Sequence, residues 1–215
     1  MFINVNPFKN QSHGTLRVPW LTLGLSFLMV TLYLLADQLF NLFLFNKASI
    51  AHGQLWRLLT GHFVHCSFEH LFWDLAAFIM LGAVIEMHER SRLIPSLLVS
   101  CLGVSTWLWF DQSQWTYCGL SGALNGLLVV ATVIQWKKTR SRMYLWVFLA
   151  TVAKIIFEFV THQTIFTSLS SQAVPSAHAA GLLIGTCYTL WGETKNVLFH
   201  RLLTLRKSYN LTNLQ

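Results

Sequence analysis

Apolar residues run along this chain in six long blocks, at 18–40, 65–85, 93–110, 117–136, 143–160 and 173–191, separated by short polar or basic segments and one longer loop at 41–64. Crossing the hydrocarbon core of a bilayer takes roughly 17 to 25 apolar residues in a helix, so each block predicts one span. The fold class that follows is an all-α membrane protein, a bundle of six transmembrane helices. The first block begins after a polar start, is too long for the apolar region of a secretory signal and has no small-residue cleavage site; it is expected to remain as the first span. Residues 1–17 then form a cytoplasmic N-terminal segment, 18–191 the membrane domain with its outer loop 41–64, and 192–215 a basic cytoplasmic tail. That tail mixes Val197, Leu198, Leu202, Leu203 and Leu205 with Arg201, Arg206 and Lys207, which suits an interfacial helix on an anionic leaflet and equally a solvated tail.

Composition strengthens the membrane assignment. Of 215 residues 54% are hydrophobic and only 11% charged, against about a quarter charged in soluble domains, and the mean hydropathy is +0.50. The formal charge of +7 invites a nucleic-acid reading, but the distribution of the charge removes it. With the N-terminus inside, twelve of the fifteen Lys and Arg fall on inner segments, only Lys47 and Arg57 on outer ones, and Lys154 within the fifth span, as the positive-inside rule requires. Lipid, not nucleic acid, is the expected surroundings. Four scattered cysteines with no CxxC exclude a disulfide scaffold or a zinc ribbon. Cys66 and Cys118 both fall near the outer face, where a bridge is chemically open and membrane-buried thiols are the expectation.

Ionisable groups inside spans are costly and invite a functional reading. Lys154 and Glu158, at i and i+4, are expected to neutralise one another on one helix face. His65, Ser121 and His178 each fall early in a span that enters from the outer face, so three segments bring polar groups to one depth. Gly122 and Gly126 on the fourth span and Ala177, Gly181 and Gly185 on the sixth form small-residue rows that let helix backbones approach closely in lipid. Such packing would set the Ser121 hydroxyl against the His178 imidazole, a nucleophile beside its general base. No acidic third member stands out near His178, although Asp111 in an outer loop is within reach. Acyl transfer also needs donors for the developing oxyanion. His70 can supply one; Asp74, at i+4 on the same face, serves either as a neutral donor or, preferably, by orienting His70.

These motifs together resemble the rhomboid intramembrane serine proteases. The likeness extends from Trp56 to Trp191 and includes Trp56-Arg57 in the long loop, a His-x4-His-x3-Asn pattern running from His65 through His70 to Asp74, Gly119-Leu120-Ser121-Gly122 as GxSG, and His178 with Gly181 and Gly185 as HxxGxxxG. The resemblance implies a six-helix rhomboid core with Ser121 as nucleophile, His178 as base, and His70 with the Ser121 backbone N–H lining the oxyanion hole. It also implies supporting roles at the oxyanion site for Gly119 and Gly122, and structural roles for Trp56, Arg57, His65, Gly126, Gly181 and Gly185. Asp74 replaces the usual Asn, and Asn125 stands where many rhomboids have an aromatic residue, in reach of a bond to His178. The short form and the HxxxxHLxWD stretch are most similar to the bacterial rhombosortases. That likeness implies an enzyme of the inner membrane, with both termini cytoplasmic and its site toward the periplasm. Its substrates would be exported proteins ending in a Gly-Gly motif, one transmembrane helix and a basic end. The competing expectation is an inactive rhomboid-like protein that binds and routes transmembrane helices. A haem or metal protein using His65, His70 and His178 is disfavoured, since haem wants facing histidines deeper in a four-helix bundle and a site-2-type metalloprotease needs the absent HExxH, and no metal or cofactor is expected.

Overall fold

The computed structural model describes residues 18–161, 163 and 174–212, the side chains of the last helix as far as Thr194. The expected segment 1–17 and the side chains of the basic tail beyond that point lie outside the described residues. In chain order the elements are α1 (Trp20–Leu34), α2 (Ala36–Phe43), β1 (Phe45–Asn46), α3 (Lys47–Ala51), α4 (Arg57–Thr60), α5 (Phe68–Phe110), β2 (Thr116–Tyr117), α6 (Ser121–Thr139), α7 (Met143–Thr161) and α8 (Pro175–Thr212).

The second and third apolar blocks are the two arms of α5. Its 43 residues amount to about 65 Å of helix, roughly twice a bilayer's hydrocarbon thickness, and the chain leaves helical geometry at Glu89 (φ −141°, ψ 65°). The first block is likewise divided, α1 and α2 meeting at 108°. Among the described residues, α5 and α7 are long and apolar enough to cross a membrane, and α1 with α2 makes a third if the bent pair is one span. The other blocks are more polar because they face protein. On α6, Gly122 through Leu127 and Val129 to Ala131 are all buried, packed between α5 and α8.

The core combines Phe78, Leu81 and Ile85 of one α5 arm, Leu93 and Leu97 of the other, Leu127 and Val130 of α6 and Met29 of α1. Large apolar side chains face outward as well, among them Phe27, Phe110 and Val160, each at least 73% exposed. A surface of that kind calls for lipid around it. Glu86 fastens α1: its carboxylate accepts the Leu21 N–H at 3.0 Å and the Thr22 N–H and hydroxyl at 2.8 and 2.9 Å, satisfying donors that a helix start leaves unpaired.

At the end of α6 opposite Ser121, Glu193 of α8 pairs with Lys137 and stands 3.7 Å from Arg92, while Lys138 meets His88 at 2.9 Å. The helix of 19 residues therefore separates a basic end from the Ser121 end by about 27 Å.

Candidate active site

The long loop is folded. Buried Arg57 donates from Nη1 to the Asn41 and Leu44 carbonyls at 2.8 and 2.7 Å and from Nε to Gln54 at 2.7 Å. Trp56 donates to Leu42 at 3.2 Å. Phe45 and Asn46 pair with Tyr117 and Thr116, tying the loop to the segment that leads into α6. Trp56 and Arg57 thus act on the loop's shape and do not reach Ser121.

Two helix starts carry the polar cluster. Ser67 caps α5 by accepting the His70 N–H at 3.1 Å, which sets His70 and Asp74 in the first two turns. Gly119, at φ +100°, makes the left-handed turn that leads into α6, and its N–H bonds Gly61 O at 3.1 Å. A Cβ there would overlap the His70 ring, so this position needs glycine for space as well as for conformation. The glycine rows interlock as their spacing implies: a Cβ on Gly181 would fall on the Gly122 carbonyl, and one on Gly185 on the Gly126 backbone.

That close packing brings Ser121 Oγ to 2.9 Å from His178 Nε2. The other ring nitrogen, Nδ1, lies 2.7 Å from Glu158 Oε2, and Glu158 Oε1 accepts from Lys154 Nζ at 2.6 Å. The Lys154–Glu158 pair expected from the sequence exists, but it is half of the arrangement, since one carboxylate serves two partners. The acidic member that meets the His178 ring is Glu158, at 0% exposure. Asp111 is not that member: it accepts from Ser176 at 2.7 Å, and the Ser113 hydroxyl, with Ser176 and Lys47, holds its carboxyl below the usual carboxylate range. Asn125 also departs from expectation, donating to the Ser121 carbonyl at 2.8 Å in place of His178.

Asp74 is central in a way its spacing does not reveal. Its Oδ2 accepts the N–H groups of Leu120 at 2.7 Å and Ser121 at 3.1 Å, lies 3.1 Å from His65 Nε2 and 3.4 Å from His70 Nε2. Two backbone N–H groups donating to this oxygen, with two ring nitrogens beside it, mark it as an acceptor, which suits a carboxylate rather than a neutral donor. The preferred expectation, orientation of His70, covers only part of this, because His65 is the nearer ring. The same oxygen occupies the space between the Ser121 N–H and His70 where an oxyanion held by those two donors would sit. Near the cluster, His62 meets Ser105 at 2.9 Å, and burial pushes its imidazole pKa down to about 4.

Ser121, His178, Glu158, Asp74 and His70 line a cavity of about 1080 Å³. Apolar residues continue it sideways between the first α5 arm (Trp73, Ala77, Met80) and α7 (Val147, Ala150). A Rhomboid domain model matches residues 52–192, about two thirds of the chain, and includes Ser121, His178, Glu158, Asp74 and His70. The chain belongs to the rhomboid family. It is thereby a membrane protein of an intramembrane-protease family, and the helix-rich architecture agrees. No curated protein matches the chain. Within the rhomboid frame, Glu158 is the site residue that reading the sequence missed. A readable signal existed: a helix running from the basic turn at 137–142 carries Glu158 near its far end, on the side of the bundle where His178 begins α8.

Proposed function

We propose that this rhomboid is an active intramembrane serine protease in which Ser121 is the nucleophile, His178 the general base and Glu158 the group that orients the imidazole. The single observation that carries this is the continuous Ser121–His178–Glu158 chain at 2.9 and 2.7 Å. With Nδ1–H directed at the carboxylate, Nε2 presents its lone pair to the Ser121 hydroxyl. As Oγ attacks the scissile carbonyl carbon, its proton passes to Nε2, and the imidazolium is stabilised by Glu158. Collapse of the tetrahedral intermediate breaks the C–N bond, and Nε2–H protonates the departing amine. Water, activated by the same nitrogen, then hydrolyses the acyl-enzyme. The Ser121 N–H and His70 would hold the oxyanion, which requires the substrate oxygen to displace Asp74 Oδ2.

The membrane arrangement belongs to the same proposal. Six spans result if α1–α2, the two arms of α5, α6, α7 and α8 each cross once; the break at Glu89 and the basic cluster at the far end of α6 support this. The basic end is cytoplasmic, so the Ser121 end faces the periplasm of a bacterial inner membrane, with 1–17 and 192–215 as cytoplasmic extensions of the 18–191 domain. A transmembrane substrate would enter through the apolar side of the cavity, and its helix end must unwind to expose a peptide bond. Glycine lowers that cost by about 1 kcal/mol per residue. We therefore retain C-terminal Gly-Gly tails, as in rhombosortase substrates, as the substrate class.

Coexpression of tail-bearing candidates with wild type, Ser121→Ala and His178→Ala tests both levels. Tail removal by the wild type alone is the expected result. Fluorophosphonate labelling lost in Ser121→Ala reports the nucleophile whatever the substrate. Equal labelling of wild type and Ser121→Ala would leave a helix-binding, non-catalytic rhomboid as the reading.

A further inference from the structure

Beside the Ser121 site, the thiols of Cys66 and Cys118 and a ring nitrogen of His70 gather so that all three donor atoms lie within 4.8 Å of one another. We propose that they form a binding site for a thiophilic metal ion of the zinc class, with Asp74 as the outer partner of the histidine ligand. Zinc bond lengths of about 2.3 Å to sulfur and 2.0 Å to nitrogen give tetrahedral S···N edges of about 3.6 Å, and Cys66 Sγ stands 3.5 Å from His70 Nδ1. The ring is already turned for ligation: Nδ1 faces the Cys66 thiol while Nε2 faces the Asp74 carboxylate at 3.4 Å. A metal-bound histidine generally directs its second nitrogen at such a group. Two thiolates and an imidazole favour Zn2+ or Cu+ over hard cations. Cys66 is exposed and Cys118 half-buried, which leaves the fourth position to water. A second grouping, His65, His70 and Asp74, is a poorer site because Asp74 Oδ2 already accepts two backbone N–H groups. Binding releases the thiol protons and would clamp the turn at Gly119 to the start of α5.

Cobalt is the probe. The reduced full-length protein in detergent micelles, titrated with Co2+, should show a thiolate charge-transfer band and strong tetrahedral visible bands at one equivalent, both removed by Zn2+. The bands should vanish in Cys66→Ser/Cys118→Ser and persist in Cys187→Ser. Asp74→Asn, which keeps all three ligands, should bind about 10- to 100-fold more weakly. If the double variant does not elute as a folded species, maleimide footprinting of the wild type replaces it, with Zn2+ expected to protect Cys66 and Cys118 but not Cys187. Absence of a thiolate band, an unchanged band in the double variant, unprotected thiols, or a Cys66–Cys118 disulfide in protein purified without reductant would each overturn the site. Fluorophosphonate labelling of metal-free protein reads the protease proposal separately.

Discussion

Glu158 Oε2 stands 2.7 Å from His178 Nδ1, across the imidazole from the Ser121 hydroxyl. The carboxylate is buried yet doubly matched, by a ring N–H on one oxygen and by Lys154 on the other. Removing the match on one side leaves an uncompensated group in a low-dielectric site. The pair therefore determines which histidine tautomer faces the serine.

Glu158→Gln keeps the side chain's shape but can present an N–H to Nδ1, which favours the wrong tautomer. In triad enzymes that inversion costs on the order of 10⁴ in turnover. We expect Ser121 labelling by a fluorophosphonate to slow by about 10³-fold or more while the unfolding temperature stays close to that of wild type. Labelling within tenfold of wild type would remove Glu158 from the mechanism.

Asp74→Asn weakens the occupant of the oxyanion donors. Bonds to an ionised acceptor are roughly twice as strong as neutral ones, a difference of about 1 kcal/mol per bond. An incoming oxygen should then displace the amide more easily than the carboxylate. The expected outcome is Ser121 phosphonylation on the order of tenfold faster, with lower thermal stability. A large loss of labelling would instead make the carboxylate a required positioning group for His65 and His70.

Gly181→Ala places a methyl group on the Gly122 carbonyl, where backbone cannot yield cheaply. Overpacking of this kind costs about 1–3 kcal/mol or more, and it pushes α8 away from α6. Both the unfolding temperature and Ser121 labelling should fall. Gly24→Ala is the matched comparison: nothing lies within 4 Å of its added Cβ, so a gain of up to about 1 kcal/mol from helix propensity is expected.

Acid should weaken the fold through His62. Its folded-state value of about 4 lies below the ordinary 6.5 because burial disfavours the charged ring. The stabilisation is complete above pH 6.5 and is lost as pH falls from there toward 4, because the unfolded chain takes up the proton first. The loss amounts to up to about 3 kcal/mol. Thermal unfolding in micelles at pH 7 and pH 4.5 should show a smaller difference for His62→Gln than for wild type.

Much of the site was legible without coordinates. Ser121 and His178 each stand beside a small-residue row, and glycine spacing alone says those two helices can touch. The membrane character follows from composition and from the clustering of Lys and Arg, because burying charge in hydrocarbon is expensive whatever the fold.

Tertiary structure decided the rest. Sequence separation says nothing about which partner a carboxylate's second oxygen will take, so Glu158 read as a local partner of Lys154 until α7 was packed beside α8. The same holds for Asp74, whose spacing pointed to His70 while its Oδ2 gathers two backbone N–H groups 46 and 47 positions away. Periodicity and charge operate along one chain segment and can be read there; the assignment of hydrogen-bond partners depends on distances between segments, and only packing sets those.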